Sequence, residues 1–226
     1  MLKEILLGNA EKQTITQIYG PPGVGKTNIC IINSINASKF GKVIYIDTEG
    51  GLSIERIKQI SPNDYQKVLE NMIIYDVFDF YEQDKIIQKE VPLIAKNASL
   101  IVVDNITSLY RLELGNEANK NIMLNKMLGN QVKTLLKIAK TYNLAVLITN
   151  QVRETVNGFE ASGGSLLEYW SKCIVRLEKI NSEERLAILE KHRHAGEEKV
   201  KFRIVERGIE INKLHYSKGI SSKSSS

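Results

Sequence analysis

Two cysteines in 226 residues, no apolar run of membrane length and no clustered histidines remove several classes of protein at once. Cys30 and Cys173 lie far apart, each inside an apolar stretch, so neither a disulfide framework nor a thiolate metal site can be drawn from them. Their sparsity fits a reducing, intracellular compartment. His192, His194 and His215 stand without a cysteine or second carboxylate at ligand spacing, and no metal is assigned to them. The opening MLKEILLGNAEKQ lacks the apolar core and small-residue cleavage site of a secretory signal, and no stretch approaches the roughly 20 apolar residues that span a bilayer. The expectation is a cytoplasmic protein with no membrane contact. Self-similarity at a solenoid period is also missing.

What is present is an ordinary globular balance, with 42% hydrophobic and 25% charged residues. The length suits one domain with a substantial core. A net charge of +5 and a pI of about 9.0 fit an anionic partner such as nucleic acid, and equally fit many soluble proteins.

Short apolar runs recur with amphipathic stretches between them: TITQIY (14–19), KVIYID (42–47), NMIIYD (71–76), SLIVVD (99–104) and LAVLIT (144–149). Runs bounded this way read as buried parallel strands. Helices are expected over Lys26 to Phe40, stopped by Gly41, then Ile54 to Ile60, Asn63 to Glu70, Tyr81 to about Lys96, and about Lys120 to Tyr142. In the last, Leu128, Val132, Leu135, Leu136 and Ala139 share one face, while Lys133, Lys137 and Lys140 form a solvated stripe. Such alternation predicts an α/β fold with a mostly parallel central sheet flanked by helices. Past Gln151 the polar, glycine-rich VRETVNGFEASGG gives way to SKCIVRLEK, RLAILEKH, VKFRIVE and GIEIN, read as an antiparallel C-terminal extension of the same sheet. One domain over 1–216 is expected, with a tail at 217–226 too polar to pack.

The sharpest local signal is GPPGVGKTN, between a strand and a helix start. Gly20, Gly25, Lys26 and Thr27 fill G-x-x-x-x-G-K-[ST], with Pro21, Pro22, Gly23, Val24 and Asn28 completing the loop. Such a loop turns backbone N–H groups toward phosphates, sends its lysine to the β and γ oxygens, and offers the threonine hydroxyl to Mg2+. Chance produces the pattern in roughly one chain in a hundred of this length. Asp104, at the C-terminal end of SLIVVD, is placed to hold Mg2+ through water opposite Thr27, the alternative being a turn or N-cap carboxylate. YIDTEGG offers Asp47 and Glu49 at the same sheet edge, where hydrolysis needs a carboxylate to orient or deprotonate water. Asn150 and Gln151, at the end of LAVLIT, form either a γ-phosphate sensor or a plain strand-capping turn.

In order and phrasing, GPPGVGKT, YIDTEGGLSIERI, LIVVDNITSLYRLEL and AVLITNQV resemble the RecA-type recombinases, most of all their archaeal and eukaryotic branch. The resemblance covers about residues 1–212. A Walker B "DE" and an N-K-x-D signature are both missing, so neither the AAA+ class nor a guanine nucleotide is suggested. It implies a RecA-type P-loop NTPase fold with ATP as nucleotide, Glu49 as catalytic glutamate, Gln151 as γ-phosphate sensor and Arg56 as the arginine stacked on adenine. The core starts close to Met1, without the helix-hairpin-helix domain and F-x-x-A linker of the recombinases, and the segment matching their second DNA-binding loop is short. Together with EKHRHAGE this is similar to a core-only archaeal paralogue of that family. That likeness implies binding to single-stranded or branched DNA, weak ATPase activity, no strand exchange of its own, and action beside the main recombinase and a branched-DNA nuclease. Lys191 and Arg193 form a K-x-R pair; in oligomeric RecA-fold ATPases, KaiC among them, such a pair touches the γ-phosphate held by a neighbouring subunit. Strand alternation would put both on one face, the alternative being a charged, protected edge, and a homo-oligomer stays among the open states. Residues 111–121 and 152–164 match the family's two DNA-binding loops, making Arg111, Lys120 and Arg153 candidate phosphate contacts and Phe159 a candidate stacking group. Glu113, Glu117, Glu154 and Glu160 would oppose them.

Overall fold

The computed structural model describes residues 1–155, 158–161 and 164–211, with backbone alone at 153–155 and 158–161. The tail expected at 217–226 and the end of the domain at 212–216 lie outside the described residues. Among the described residues, nine strands form one sheet, in the order β11-β10-β9-β8-β1-β5-β4-β2-β3. These are β1 (Ile15–Tyr19), β2 (Lys42–Asp47), β3 (Met72–Asp76), β4 (Ala98–Asp104), β5 (Ala145–Asn150), β8 (Cys173–Lys179), β9 (Glu184–Lys191), β10 (Glu198–Val205) and β11 (Gly208–Ile211), with β6 (Val152–Thr155) and β7 (Gly158–Ala161) as a separate hairpin. All five predicted apolar runs are strands, and they pair in parallel. The C-terminal extension is antiparallel as expected from β8 onward, although β8 itself joins β1 in parallel. This topology sends the C-terminal ends of β1, β2, β4 and β5 to one edge of the sheet, where open α/β folds place their ligand crevice.

The helices are α1 (Leu2–Leu6), α2 (Lys26–Ala37), α3 (Ile54–Ile60), α4 (Tyr65–Glu70), α5 (Phe80–Lys85), α6 (Val91–Ile94), α7 (Ser108–Glu113), α8 (Ala118–Tyr142) and α9 (Gly164–Trp170). Strand residues alternate between two cores. Val43, Tyr45, Leu100 and Val102 face α1 and α2, whereas Ile44, Ile46, Ile101 and Val103 face α5 and α8. The α8 stripe is buried as predicted, with Leu128, Val132, Leu135 and Ala139 each at 0% exposure.

Three local readings need correction. The helix expected from Tyr81 to Lys96 is interrupted by a π-turn at Ile86–Glu90. Pro92 follows it, and a proline cannot donate to the Gln88 carbonyl and crowds it, so the ladder opens there. The stretch 111–121, expected as a loop, is mostly helical, and only 114–117 joins α7 to α8. The segment MLKEILLG, read only for what it lacked, forms α1, whose Leu2, Ile5 and Leu6 are all 0% exposed. Among the described residues no helix is long and apolar enough to cross a membrane.

Candidate nucleotide site

Tyr19 ends β1 and Lys26 starts α2, so the six residues between them wrap the helix N-terminus. Gly23 and Gly25 lie in the left-handed region, at φ 74° and 101°. A Cβ at Gly25 would meet Ile204 Cδ1 at 2.7 Å, and one at Gly20 would meet the Leu177 carbonyl oxygen at 2.4 Å. Side chains there would therefore displace either the β8 backbone or the Ile204 side chain of β10, so the loop's path depends on these glycines. Lys26 is 8% exposed and donates to the carbonyls of Gly20 at 2.8 Å and Pro21 at 3.1 Å. Burial lowers its pKa, while the Asp104 and Glu49 carboxylates pull it back up.

The two carboxylates of YIDTEGG do different work. Asp47 is 3% exposed and accepts from the backbone N–H groups of Glu49 (3.1 Å), Gly51 (3.2 Å) and Leu52 (2.8 Å). It builds the turn. Glu49 stands out from that turn, and its Oε1 accepts from Gln151 Nε2 at 2.8 Å and Asn105 Nδ2 at 3.3 Å. Burial, then the neighbouring Asp104 charge, raises the Glu49 pKa; Lys26, Gln151 and Asn105 oppose the rise. The same turn carries Gly51 onto Thr27: a Cβ at Gly51 would sit 3.3 Å from the Thr27 hydroxyl oxygen.

Asp104 is 3% exposed and accepts from the Tyr45 hydroxyl at 3.0 Å and from the Thr149 hydroxyl. Hydroxyls on β2 and β5 thereby orient a carboxylate at the end of β4, between the P-loop lysine and Glu49. Tyr45, Thr149 and Asn105 were not singled out from sequence; the available signal was polar residues inside or just past otherwise apolar strands. Gln17, 1% exposed in β1, donates to Asn150 Oδ1 at 3.3 Å, extending the row of amides across the sheet edge. Among the described residues no three His, Cys, Asp or Glu side chains converge into a metal cage. The Thr27 hydroxyl and the Asp104 carboxylate stand among the oxygens at this edge, beside those of Asp47, Thr48 and Glu49.

The Arg56 guanidinium makes five hydrogen bonds: Nε to Asn28 Oδ1 (2.8 Å), Nη1 to Gln59 Oε1 (2.9 Å) and Glu206 O (2.8 Å), Nη2 to Val205 O (2.7 Å) and Gly208 O (3.4 Å). With its N–H groups engaged, stacking through its planar group is the interaction it has left to offer a base. It also ties α2 and α3 to the β10–β11 turn.

Lys191 and Arg193 do not share a strand face. β9 ends at Lys191, and the buried His192 ring turns the chain there: its Nδ1 accepts from the N–H groups of His194 and Ala195, both at 3.1 Å, and its Nε2 meets Glu11 Oε2 at 3.1 Å. Lys191 donates to Glu168 O at 2.6 Å, while Arg193 is exposed. Because β9 runs antiparallel to β8, which parallels β1, the chain past Lys191 heads away from its own P-loop. Arg111 is exposed on α7, and Lys120, early in α8, pairs with Glu113 at 3.0 Å. The side chains of Arg153 and Phe159 lie outside the described residues.

The model of the Rad51 family matches residues 1–212. A DNA repair and recombination protein RadB from Methanocaldococcus jannaschii is 87% identical over 93% of this chain and 99% of its own length. Its namesake from Methanococcus maripaludis is 56% identical over 96% of this chain and 100% of its own. Among solved structures, that of a RadB recombinase superposes with a TM-score of 0.77 at 33% identity, covering 92% of this chain and 95% of that one.

Proposed function

The chain belongs to the Rad51 family of RecA-type recombinases, on its archaeal RadB branch, and from that premise we propose that it is an ATP-binding, DNA-binding accessory protein of homologous recombination and repair with a weak ATPase activity. The observation that carries this reading is the convergence of Lys26, Glu49, Asp104 and Gln151 on one sheet edge, joined by the Gln151–Glu49 bond at 2.8 Å. ATP would lie on the P-loop with its phosphates against Lys26 and its base against the face of Arg56. Thr27 and, through water, Asp104 would hold Mg2+, which neutralises phosphate charge. Glu49 orients the attacking water, and Gln151 is the group able to report a γ-phosphate to the β6–β7 hairpin that begins one residue later. Arg111, Lys120, Arg153 and Phe159 would contact single-stranded or branched DNA. Lys191 and Arg193 would act on nucleotide held by a second copy, because their own P-loop lies the other way. The relatives' shared name supports the repair setting, in which the main recombinase and a branched-DNA nuclease are the partners; strand exchange of its own is not expected.

A second reading keeps the nucleotide and drops the hydrolysis: ATP binding alone gates the hairpin, and the protein is an adaptor. The direct bond between the carboxylate and the residue that opens the hairpin favours taking it seriously. Both readings require nucleotide to alter affinity for DNA or, in the second, for the main recombinase. Binding of single-stranded and branched oligonucleotides and of the main recombinase, read by fluorescence anisotropy with and without ATP, should differ several-fold for at least one of these in the wild type and for none in Lys26→Ala. Affinities all indifferent to ATP in the wild type would defeat both readings.

A further inference from the structure

Asn105 is 0% exposed, and every polar group it carries is accounted for. Its Oδ1 accepts from the Thr107 backbone N–H at 2.9 Å and from the Thr107 hydroxyl at 3.0 Å. A backbone N–H can only donate, so the oxygen must face Thr107 and the NH2 must face Glu49; the amide cannot be drawn the other way round. The main chain is pinned as firmly. Asn105 N donates to Thr48 Oγ1 at 2.8 Å, and its carbonyl accepts from the hydroxyls of Thr48 (2.7 Å) and Ser108 (3.2 Å). The next residue is held from two further elements, with Ile106 N on Thr149 O at 3.0 Å and Ile106 O accepting from the buried Gln83 at 3.1 Å. A donor fixed from the turn after β2, from β5, from α5 and from its own turn is therefore aimed at Glu49 Oε1.

The other donor to that oxygen is differently placed. Gln151 lies outside both β5 and β6, and its bond to Glu49 is solvent-exposed. A Gln151 side chain that swings round to a γ-phosphate gives up this bond, whereas the Thr107 bonds keep the Asn105 amide where it is. The geometry points to Asn105 as the positioning residue that holds the Glu49 carboxylate in line while Gln151 is engaged elsewhere, an assignment that rests on the hydrolytic reading above. Asn105 touches no substrate atom in this account; it acts through Glu49.

Asn105→Asp tests it, because the shape and the bonds from Thr107 survive while the donor becomes an acceptor facing another carboxylate. Single-turnover hydrolysis should fall at least about tenfold, as expected when a positioned group is loosened, with nucleotide affinity unchanged. Thr107→Val, which frees one of the two bonds orienting the amide without touching Glu49, should give a smaller loss of the same kind and keeps the test open should Asn105→Asp fold poorly. Undiminished turnover in Asn105→Asp, or an equal fall in nucleotide affinity, would overturn the assignment. A wild type with no turnover above the blank would sink the hydrolytic reading itself. The Asn105 side-chain amide resonance, assigned by its absence in Asn105→Asp, then decides the contact independently: it should shift in Glu49→Gln, and an unmoved resonance refutes it.

Discussion

At the scale of single residues, the proposed function divides the site into groups that would meet phosphate and groups that hold those groups still. Lys26 belongs to the first kind. A charge-assisted hydrogen bond to phosphate contributes about 2 kcal/mol, so Lys26→Ala should weaken ATP binding roughly thirtyfold in a titration calorimeter. Arg56 is of both kinds. Its hydrogen bonds tie the β10–β11 turn to α3, and its planar group is left for the base. Arg56→Ala should lower the melting temperature and the ATP affinity together, and Arg56→Lys should restore neither, since an ammonium supplies no planar fork and no stacking face. Sequence made the first kind legible, because G-x-x-x-x-G-K-[ST] states both its chemistry and its place. The second kind was hidden. Nothing in VVDN announces that the asparagine faces the glutamate of YIDTEGG 56 positions earlier, since that contact exists only once β2 and β4 are neighbours in the sheet. Asp47 and Glu49 could not be told apart for the same reason: the difference lies in three backbone N–H groups that converge on one carboxylate after the turn has formed.

At the scale of elements, hydrophobic periodicity carried most of the fold. The five apolar runs became strands because each is too short and too β-branched to prefer a helix, and α8 was recognised by a single buried face. That face can be checked against its opposite. Leu128→Ala removes a fully buried side chain and should cost about 2–5 kcal/mol in denaturant melts. Lys133→Ala, on the exposed stripe, should stay within about 0.5 kcal/mol of wild type. Short helices were read unevenly: α3 and α4 were expected, and three others were not. The helices α1, α7 and α9 are five to seven residues long, too short for periodicity to register, and they owe their order to tertiary packing. The break at Ile86–Glu90 was foreshadowed by Pro92, one of only four prolines in the chain. The expectation that Lys191 and Arg193 share a face failed for a similar reason, because a buried histidine ended the strand between them.

At the scale of the whole molecule, one sheet separates two cores, and the ionisable groups buried in them set a limit on alkaline stability. Burial pushes the Cys173 thiol up to about 12, and pushes Cys30 and the Tyr45 hydroxyl, which also face Asp104, well above their ordinary values of 9.0 and 10.0. These groups keep their protons in the folded state after the unfolded chain has lost them. The folded state therefore binds more protons than the unfolded one above about pH 9, and unfolding free energy must fall as pH rises from there, being fully retained below it. Urea midpoints measured from pH 7 to 10.5 should hold steady and then decline. In native protein at pH 8, neither thiol should react with iodoacetamide, and both should react in denaturant. A flat midpoint profile through pH 10.5 would mean that the cores are less dry than the buried residues indicate.

The same sheet gathers the C-terminal ends of β1, β2, β4 and β5 into the one edge on which the functional account rests. Hydrolysis of ATP through Glu49 in response to DNA is the activity proposed for this edge, and ATP turnover by wild type and Glu49→Gln, with and without single-stranded and branched DNA and with ATP binding followed on the same samples, tests it. Slow wild-type turnover should rise with DNA and vanish in Glu49→Gln while ATP affinity is retained. Turnover that survives Glu49→Gln, or tight ATP binding without turnover under every condition, would refute it.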